Sequence, residues 1–169
     1  MLPAQTLDAD AMLAWLGWYI AEGDSRTGKS NCVRVRQGLD SSDLPAVKQA
    51  CRQLGLAGSE STSDGAWRWS LRNPKQMAVW LREHVGVGSH EKRLPEWVWE
   101  ASRRQQMILL RALMAGDGHA PDGWEEKGKS RYSTVSERLA DDVQRLAINC
   151  GFVASKVWAG RVWGINLSH

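Results

Sequence analysis

The chain has 169 residues, 43% hydrophobic and 24% charged, with a formal net charge of +3. That is enough for one compact domain or two small repeats, and it excludes a disordered or collagen-like chain. No apolar run approaches the roughly 20 residues that span a bilayer, Met1-Leu2-Pro3-Ala4-Gln5 has no basic lead into an apolar stretch, and Cys32, Cys51 and Cys150 form no C-x-x-C pair, so a soluble, unexported protein of the reducing cytoplasm is expected.

In chain order, the first predicted helix carries Gly17-Trp18-Tyr19-Ile20-Ala21-Glu22-Gly23 at its end. A strand with its entry loop follows over 25–37, where Val33-Arg34-Val35-Arg36 puts valines on one face and arginines on the other. An amphipathic helix holding Val47 closes at Gly55. A second strand over 65–72 places Trp67, Trp69 and Leu71 opposite Arg68, Ser70 and Arg72. Asn73-Pro74 opens a helix reaching about Val85. Ser102-Arg103-Arg104-Gln105 reads as a capping box for a helix ending at Asp117. The segment 127–135 sets Tyr132 and Thr134 against Arg131 and Ser133. Ser136 and Gly151 bracket a helix with Leu139, Val143 and Leu146 on its apolar side, and 152–169 reads as a final strand.

The charge is strongly sorted among these elements. The four strand-like segments hold eleven basic residues (Arg26, Lys29, Arg34, Arg36, Arg68, Arg72, Lys127, Lys129, Arg131, Lys156 and Arg161) and no Asp or Glu, leaving eleven basic and nineteen acidic residues elsewhere. A solvated charged face is the ordinary reading of a basic run. The absence of acids from four separate segments points instead to a sheet surface that meets an extended polyanion such as duplex DNA.

The halves repeat at an offset of 95 to 96 residues. Gly17 to Gly23 aligns with Ala112-Leu113-Met114-Ala115-Gly116-Asp117-Gly118, Val47 with Val143, Gly55 with Gly151, and Trp67 to Leu71 with Trp163 to Leu167. Gly17 and Ala21, like Ala112 and Gly116, lie four apart on one helix face, so the two helices are expected to pack along a small-residue seam. That seam brings Glu22 and Asp117 together at two helix C-termini, where the macrodipole is already negative and a carboxylate is disfavoured. Two such acids, with the backbone carbonyls of Ala21 and Gly116, form a hard oxygen donor set suited to Mg²⁺ or a similar divalent cation.

These paired heptapeptides resemble the two motifs of the LAGLIDADG homing endonucleases, whose eighth motif position is the metal-binding acid and falls on Glu22 and Asp117. Ser89-His90-Glu91-Lys92-Arg93-Leu94-Pro95-Glu96 resembles the segment between motifs in intein-encoded members. Tyr132 to Ser136 followed by Leu139 to Gln144 resembles their second half. The resemblance implies an α+β fold: a pseudo-twofold pair of αββαββ(α) repeats, with central motif helices and two saddle-shaped antiparallel β-sheets. The repeats would span 1–94 and 95–169, the second shorter by a C-terminal helix, within one DNA-binding unit. It further implies a monomer acting as a pseudo-dimer, associated with the nucleoid, that makes Mg²⁺-dependent double-strand cuts in a long DNA site and leaves short 3′ overhangs. Glu22, Asp117 and Lys92 would be catalytic, with Glu22, Asp117, Ala21 and Gly116 at the metal. Lys29, Arg34, Arg36, Arg68, Arg72, Lys129, Arg131, Ser133, Lys156, Trp158 and Arg161 would meet DNA. The second half has no counterpart of Lys92, which leaves Lys129, Lys156 or Arg161 for that role, or leaves the role unfilled. The alternatives are a DNA-binding regulator or an RNA-splicing maturase that keeps the fold without cutting.

Two stretches, Gly23 to Ser30 and Gly123 to Ser130, match G-x-x-x-x-G-K-[ST]. A phosphate-binding loop of that type needs a strand before it and a helix after it, whereas the first match follows a helix and precedes a strand. His84 and His90 lack metal-ligand spacing, and His119 reads as a solvated turn residue. Trp15, Trp18, Trp80, Trp97 and Trp99 sit among aliphatics at helical spacing and read as core.

Overall fold

A computed structural model describes residues 6–126 and 128–169; Lys127 and the stretch 1–5, with the expectations placed on them, lie outside the described residues. One order of elements occurs twice. First come α1 (Ala9–Glu22), β1 (Gly23–Arg26), β2 (Cys32–Gly38), α2 (Leu44–Gln53), β3 (Gly58–Ser63), β4 (Ala66–Leu71) and α3 (Lys75–His84). After a 3-10 turn at Glu96–Glu100 come α4 (Arg103–Asp117), β5 (Gly118–His119), β6 (Ser130–Thr134), α5 (Glu137–Asn149), β7 (Val153–Trp158) and β8 (Trp163–Ser168). Each run closes a four-stranded antiparallel sheet, in the orders β1-β2-β4-β3 and β5-β6-β8-β7. The architecture is α+β, as the resemblance implies.

Periodicity shows only half of these strands. β1 and β5 are short continuations of a helix and carry no alternation of their own. β3 is Gly-Ser-Glu-Ser-Thr-Ser, an edge strand whose side chains are mostly exposed and which therefore lacks an apolar register. The last segment is two strands, because the chain reverses at 159–162, with Gly160 at φ 77° and Ala159 N–H donating to the Val162 carbonyl at 2.9 Å.

Helices α1 and α4 run parallel through the centre. Asp8 caps the first, its carboxylate accepting Ala11 N–H at 2.9 Å, and Ser102 with Gln105 forms the expected capping box on the second. Arg104 bridges their starts through a bidentate pair with Asp10 at 2.6 and 3.0 Å. Further along, the small residues interlock: a methyl added at Gly17 would fall inside 3.0 Å of the Ala112 Cβ, and one at Gly116 inside 3.0 Å of the Ala21 Cβ. Each alanine thus sits in the hollow left by a glycine on the other helix, as the repeated spacing predicts. Outside the seam both helices are packed in apolar side chains. Trp15, fully buried, stacks on Tyr19 at 5.2 Å and meets the edge of Trp69 at 6.3 Å, while Leu109, Leu110 and Leu113 anchor the second half.

Candidate functional site

Glu22 and Asp117 are the last residues of α1 and α4. The following glycines do not take the left-handed conformation that often ends a helix: Gly23 has φ −100° and Gly118 φ −94°, and each continues directly into a strand. Glycine is needed for clearance instead. A Cβ at 23 would crowd Tyr19, its carbonyl oxygen included, and one at 118 would crowd the Met114 carbonyl and methyl. This tight exit lets each acid end its helix while the next residue already pairs in the sheet, Gly23 opposite Val35 and Gly118 opposite Tyr132.

The two carboxyls feel each other. Burial, and then the Asp117 charge, raise the Glu22 pKa, against a lowering by Lys92. Burial raises that of Asp117, while Lys92 and the Tyr132 hydroxyl, which donates to Asp117 Oδ2 across a long 3.5 Å, pull it down. Lys92 is the cation of this cluster. Burial lowers its pKa, opposed in turn by Asp117, Glu22 and Asp24, and its Nζ donates to the Ile20 carbonyl at the end of α1. Sequence resemblance alone nominated Lys92, and the structure brings it to both acids.

The loop that delivers Lys92 is held from the other half. The Ser136 hydroxyl, which also caps α5 by accepting Leu139 N–H at 3.1 Å, donates to the Lys92 carbonyl at 2.6 Å. Two residues on, Leu94 N–H donates to Asp142 Oδ2 at 2.8 Å. Gly86, at φ 89°, lies against the Glu91 carbonyl where a side chain would collide, so the loop folds flat on itself. No feature of Ser136 or Asp142 in the sequence marks this second role, because it joins residues 44 and 48 positions apart.

The donor chemistry suits a hard divalent cation. Among the described residues no group of three or more His, Cys, Asp and Glu side chains converges to hold a metal, so a cation here would rest on the two carboxylates, adjoining carbonyls and outside oxygens. Magnesium is commonly bound in this way. Carboxyls whose pKa values are raised by burial, and for Glu22 also by the neighbouring Asp117 charge, are the groups whose charged forms such a cation relieves.

Register divides each sheet into two faces. In the first, Val33, Val35, Trp67, Trp69 and Leu71 are buried against the helices. The opposite, open face carries Arg34 across from Ser70 and Arg36 across from Arg68, with Arg26 beyond β1 and serines 59, 61 and 63 along β3. Arg72 continues the same alternation, and Lys29 sits in the β1–β2 loop. One acid lies on this face. Asp24 accepts from Arg34 at 2.6 and 3.1 Å; it escaped the charge partition because β1 starts before residue 25. Glu60 of β3 is on the helix side, bonded to Arg52 and to Trp67 Nε1.

In the second sheet, Tyr132, Ile165 and Leu167 are buried, and the open face carries Arg131 across from both His119 and Asn166, Ser133 across from Gly164, and Ser155 across from Asn166. Lys129 lines the same surface. Two expected contacts are not brought there. Lys156 pairs with Ile165 in register and so lies on the helix side, where it forms ion pairs with Asp141 and, at 3.6 Å, Glu137 of α5 and lies over Trp163. Trp158 pairs with Trp163 in register and packs against it at 5.0 Å. A single strand over 152–169 hid the hairpin that decides these faces. Arg161 is in the hairpin turn. Arg26, counted among the basic strand residues, reaches the open face, and His119, read as a solvated turn residue, is instead in β5 opposite Arg131. Asn166 and Ser155 reach the open face without having been singled out, revealed by strand pairing rather than residue type. The first phosphate-loop match runs from β1 to β2, with a strand where a helix is required.

Comparison with known proteins agrees with this architecture. The family model described as a LAGLIDADG-like domain matches residues 104–158. The ATP-dependent Clp protease proteolytic subunit of Chlamydomonas moewusii is 29% identical over 165 residues, covering 88% of this chain and 15% of that protein. A DNA gyrase subunit of Mycobacterium kansasii is 28% identical over 147 residues, covering 83% of this chain and 26% of that protein. The chain therefore spans about a quarter or less of the length of these two relatives. Among solved structures, I-DmoI in complex with DNA and Mn superposes with a TM-score of 0.60 at 17% identity, covering 95% of this chain and 91% of that one. The N-terminal LAGLIDADG domain of DUF199/WhiA superposes at 0.59 with 10% identity, covering 99% and 78%. At these identities the two structural likenesses show a shared fold. No helix among the described residues is long and apolar enough to cross a membrane. The family match identifies residues 104–158 as a LAGLIDADG-like domain, and the fold shared with the solved structures runs along nearly the whole chain, with both motif helices in place.

Proposed function

We propose that this chain is a site-specific endonuclease that makes double-strand cuts in a long duplex DNA target, leaving short 3′ overhangs, with a divalent cation held by Glu22 and Asp117 and by the carbonyls of Ala21 and Gly116. The observation that carries the reading is the meeting of Glu22, Asp117 and Lys92 at the foot of the α1–α4 seam, the last residue of each motif helix leading straight into a sheet with a basic open face. A module that only bound DNA would gain nothing from burying two mutually repelling carboxyls beside its polyanionic partner.

When bound, the cation supplies Lewis-acid charge stabilisation for a phosphodiester and a more acidic water. The chain's own groups do the rest. Glu22 and Asp117 fix the position of the charge, and Lys92 Nζ offers a proton donor and a positive charge beside both acids. Lys29, Arg36, Arg68, Arg72, Lys129 and Arg131 neutralise phosphates or reach base edges, with Arg34 constrained by Asp24, and Ser133 adds a neutral donor. Two sheets in one chain present the two half-site surfaces a monomer needs. A Clp protease subunit and a DNA gyrase subunit each match this chain over only a part of their own length, which supports a portable element of the intein-encoded kind carried inside unrelated hosts.

The test is cleavage of plasmids carrying duplexes selected from a random library, in Mg²⁺, by the wild type, Glu22→Gln and Asp117→Asn. Metal-dependent linear product with 3′ overhangs, lost in both variants, is expected. Tight DNA binding without cutting in any divalent ion would turn the assignment to a regulator. Preference for a structured intron RNA would turn it to a maturase.

A further inference from the structure

The two open faces differ in kind. The first presents Arg26, Arg34, Arg36 and Arg68 among serines, and its large apolar side chains are all turned to the helices. The second presents Arg131 as its one arginine within a strand, and beside it the edge strand β7 exposes Val153 (66%) and Val157 (48%). Their register opposite Ser168 and Gly164 puts both valines on the open side, flanking Ser155. Exposed valines on an edge strand are a liability that proteins ordinarily blunt with charge, so their place on the DNA-facing side asks for a partner with apolar groups.

The neighbouring positions are shaped for a close approach. Gly164 has the Arg131 guanidinium laid across it, within 3.0 Å of where a Cβ would stand, so that side chain lies flat next to Val157. After β5, Trp124 stacks on Phe152 at 5.3 Å and Glu125 accepts from Arg111 of α4 at 2.6 and 2.8 Å, which turns both side chains toward the body of the protein. In duplex DNA the apolar group displayed in the major groove is the thymine C5-methyl, whereas arginine matches the guanine O6/N7 edge. Val153 and Val157, four residues apart on a strand, are spaced by about 13 Å, on the order of four nucleotide steps.

We propose that the second sheet reads thymine methyl groups through Val153 and Val157, so that the target is asymmetric, with a guanine-containing half under the arginines of the first sheet and a thymine-containing half under β7. This rests on the DNA-binding reading above.

The experiment selects duplexes from a random library with the wild-type protein in Ca²⁺ and remakes the selected duplex with deoxyuridine for thymidine in one half at a time. Deoxyuridine lacks only the methyl. Substitution in one half is expected to weaken binding about fourfold per methyl read, the effect of exposing one methyl-sized group, and the same substitution in the other half to leave it unchanged. The Val153→Ser/Val157→Ser variant, altered only at exposed positions, should lose that discrimination while keeping its circular dichroism spectrum. The inference is overturned if deoxyuridine has no effect in either half, if it acts equally in both, or if the serine variant still discriminates. Failure of the library to enrich any duplex overturns the DNA-binding reading itself, and this inference with it.

Discussion

The seam between α1 and α4 can be tested by exchanging its knob and hole. Gly17→Ala removes a helix-interior glycine, which in an exposed helix would stabilise by about 1 kcal/mol. Here the new methyl would lie inside 3.0 Å of the Ala112 Cβ and at 3.2 and 3.3 Å from the Leu113 nitrogen and the Ala112 carbonyl carbon. All three belong to a helix and none can rotate away, so the helices must part by about an ångström to regain ordinary contact. Overpacking of this kind costs about 1–3 kcal/mol, which outweighs the propensity gain and leaves a net loss of about 1 kcal/mol. Ala112→Gly alone should lose a similar amount through propensity and a small void. The double variant restores the clearance with the methyl on the other helix, and it is expected to return close to wild-type stability, a coupling of about 2 kcal/mol. Urea unfolding with linear extrapolation measures all four proteins. A Gly17→Ala protein more stable than wild type, or strictly additive effects of the two changes, would refute a tightly interlocked seam.

Three further outcomes are expected. Ser136→Ala removes the α5 cap and the donor to the Lys92 carbonyl, so it should lower stability by about 1–2 kcal/mol and reduce cleavage beyond that loss, measured at a temperature where the variant is fully folded; an unchanged cleavage rate would remove Ser136 from the positioning of Lys92. Glu22 and Asp117 have raised pKa values in the folded state, so the stability they contribute is present in acid and declines as pH rises through their folded-state range. The metal-free Glu22→Gln and Asp117→Asn proteins should therefore melt above wild type at pH 7, the gap closing toward acid, and wild type alone should gain from added Mg²⁺; equal melting temperatures at pH 7 would show that the acids are not in conflict. Arg68→Ala should shallow the salt dependence of DNA binding by about one unit if its contact is a phosphate, and an unchanged slope in fluorescence anisotropy would assign it to a base edge.

What could be read from the sequence was whatever repeats locally. Gly17, Ala21, Ala112 and Gly116 announce the seam because helix geometry places positions four apart on one face, and Val33 to Arg36 announces its two faces because strand geometry alternates. Ser102, Ser136 and Asn73-Pro74 mark helix starts through backbone chemistry that depends on a few neighbouring residues. The rest depended on pairing between distant segments. β3 has no apolar alternation to detect, and the reversal at 159–162 moved Lys156 and Trp158 to the helix side. The anchoring of Lys92 by Ser136 and Asp142 links the loop before α4 to the helix after β6, a contact that no local pattern encodes.

The same long-range anchoring makes the cluster of Glu22, Asp117 and Lys92 a property of the docked halves. Glu22 comes from one half, Asp117 from the other, and the lysine beside both rides on the loop between them, fastened to α5. Parallel packing of α1 and α4 directs the negative ends of both helix dipoles to this point, which by itself opposes the placing of two carboxyls there. Three things offset it: the seam that fixes the helices, the Lys92 charge, and the cation that the proposed function requires. Among the described residues, Lys92 is the lysine that serves the pair. Its counterpart is not supplied by Lys156, whose charge is engaged by Asp141 and Glu137, so the two acids stand in unequal fields, Glu22 raised by its neighbour's charge as well as by burial and Asp117 eased by a tyrosine. The inequality runs in the same direction as that of the sheets, arginine-rich in one half and valine-bearing in the other. A molecule built on a repeat has thus diverged at its centre and at its two faces alike, and a nuclease of this construction would be matched to an asymmetric target rather than a palindrome.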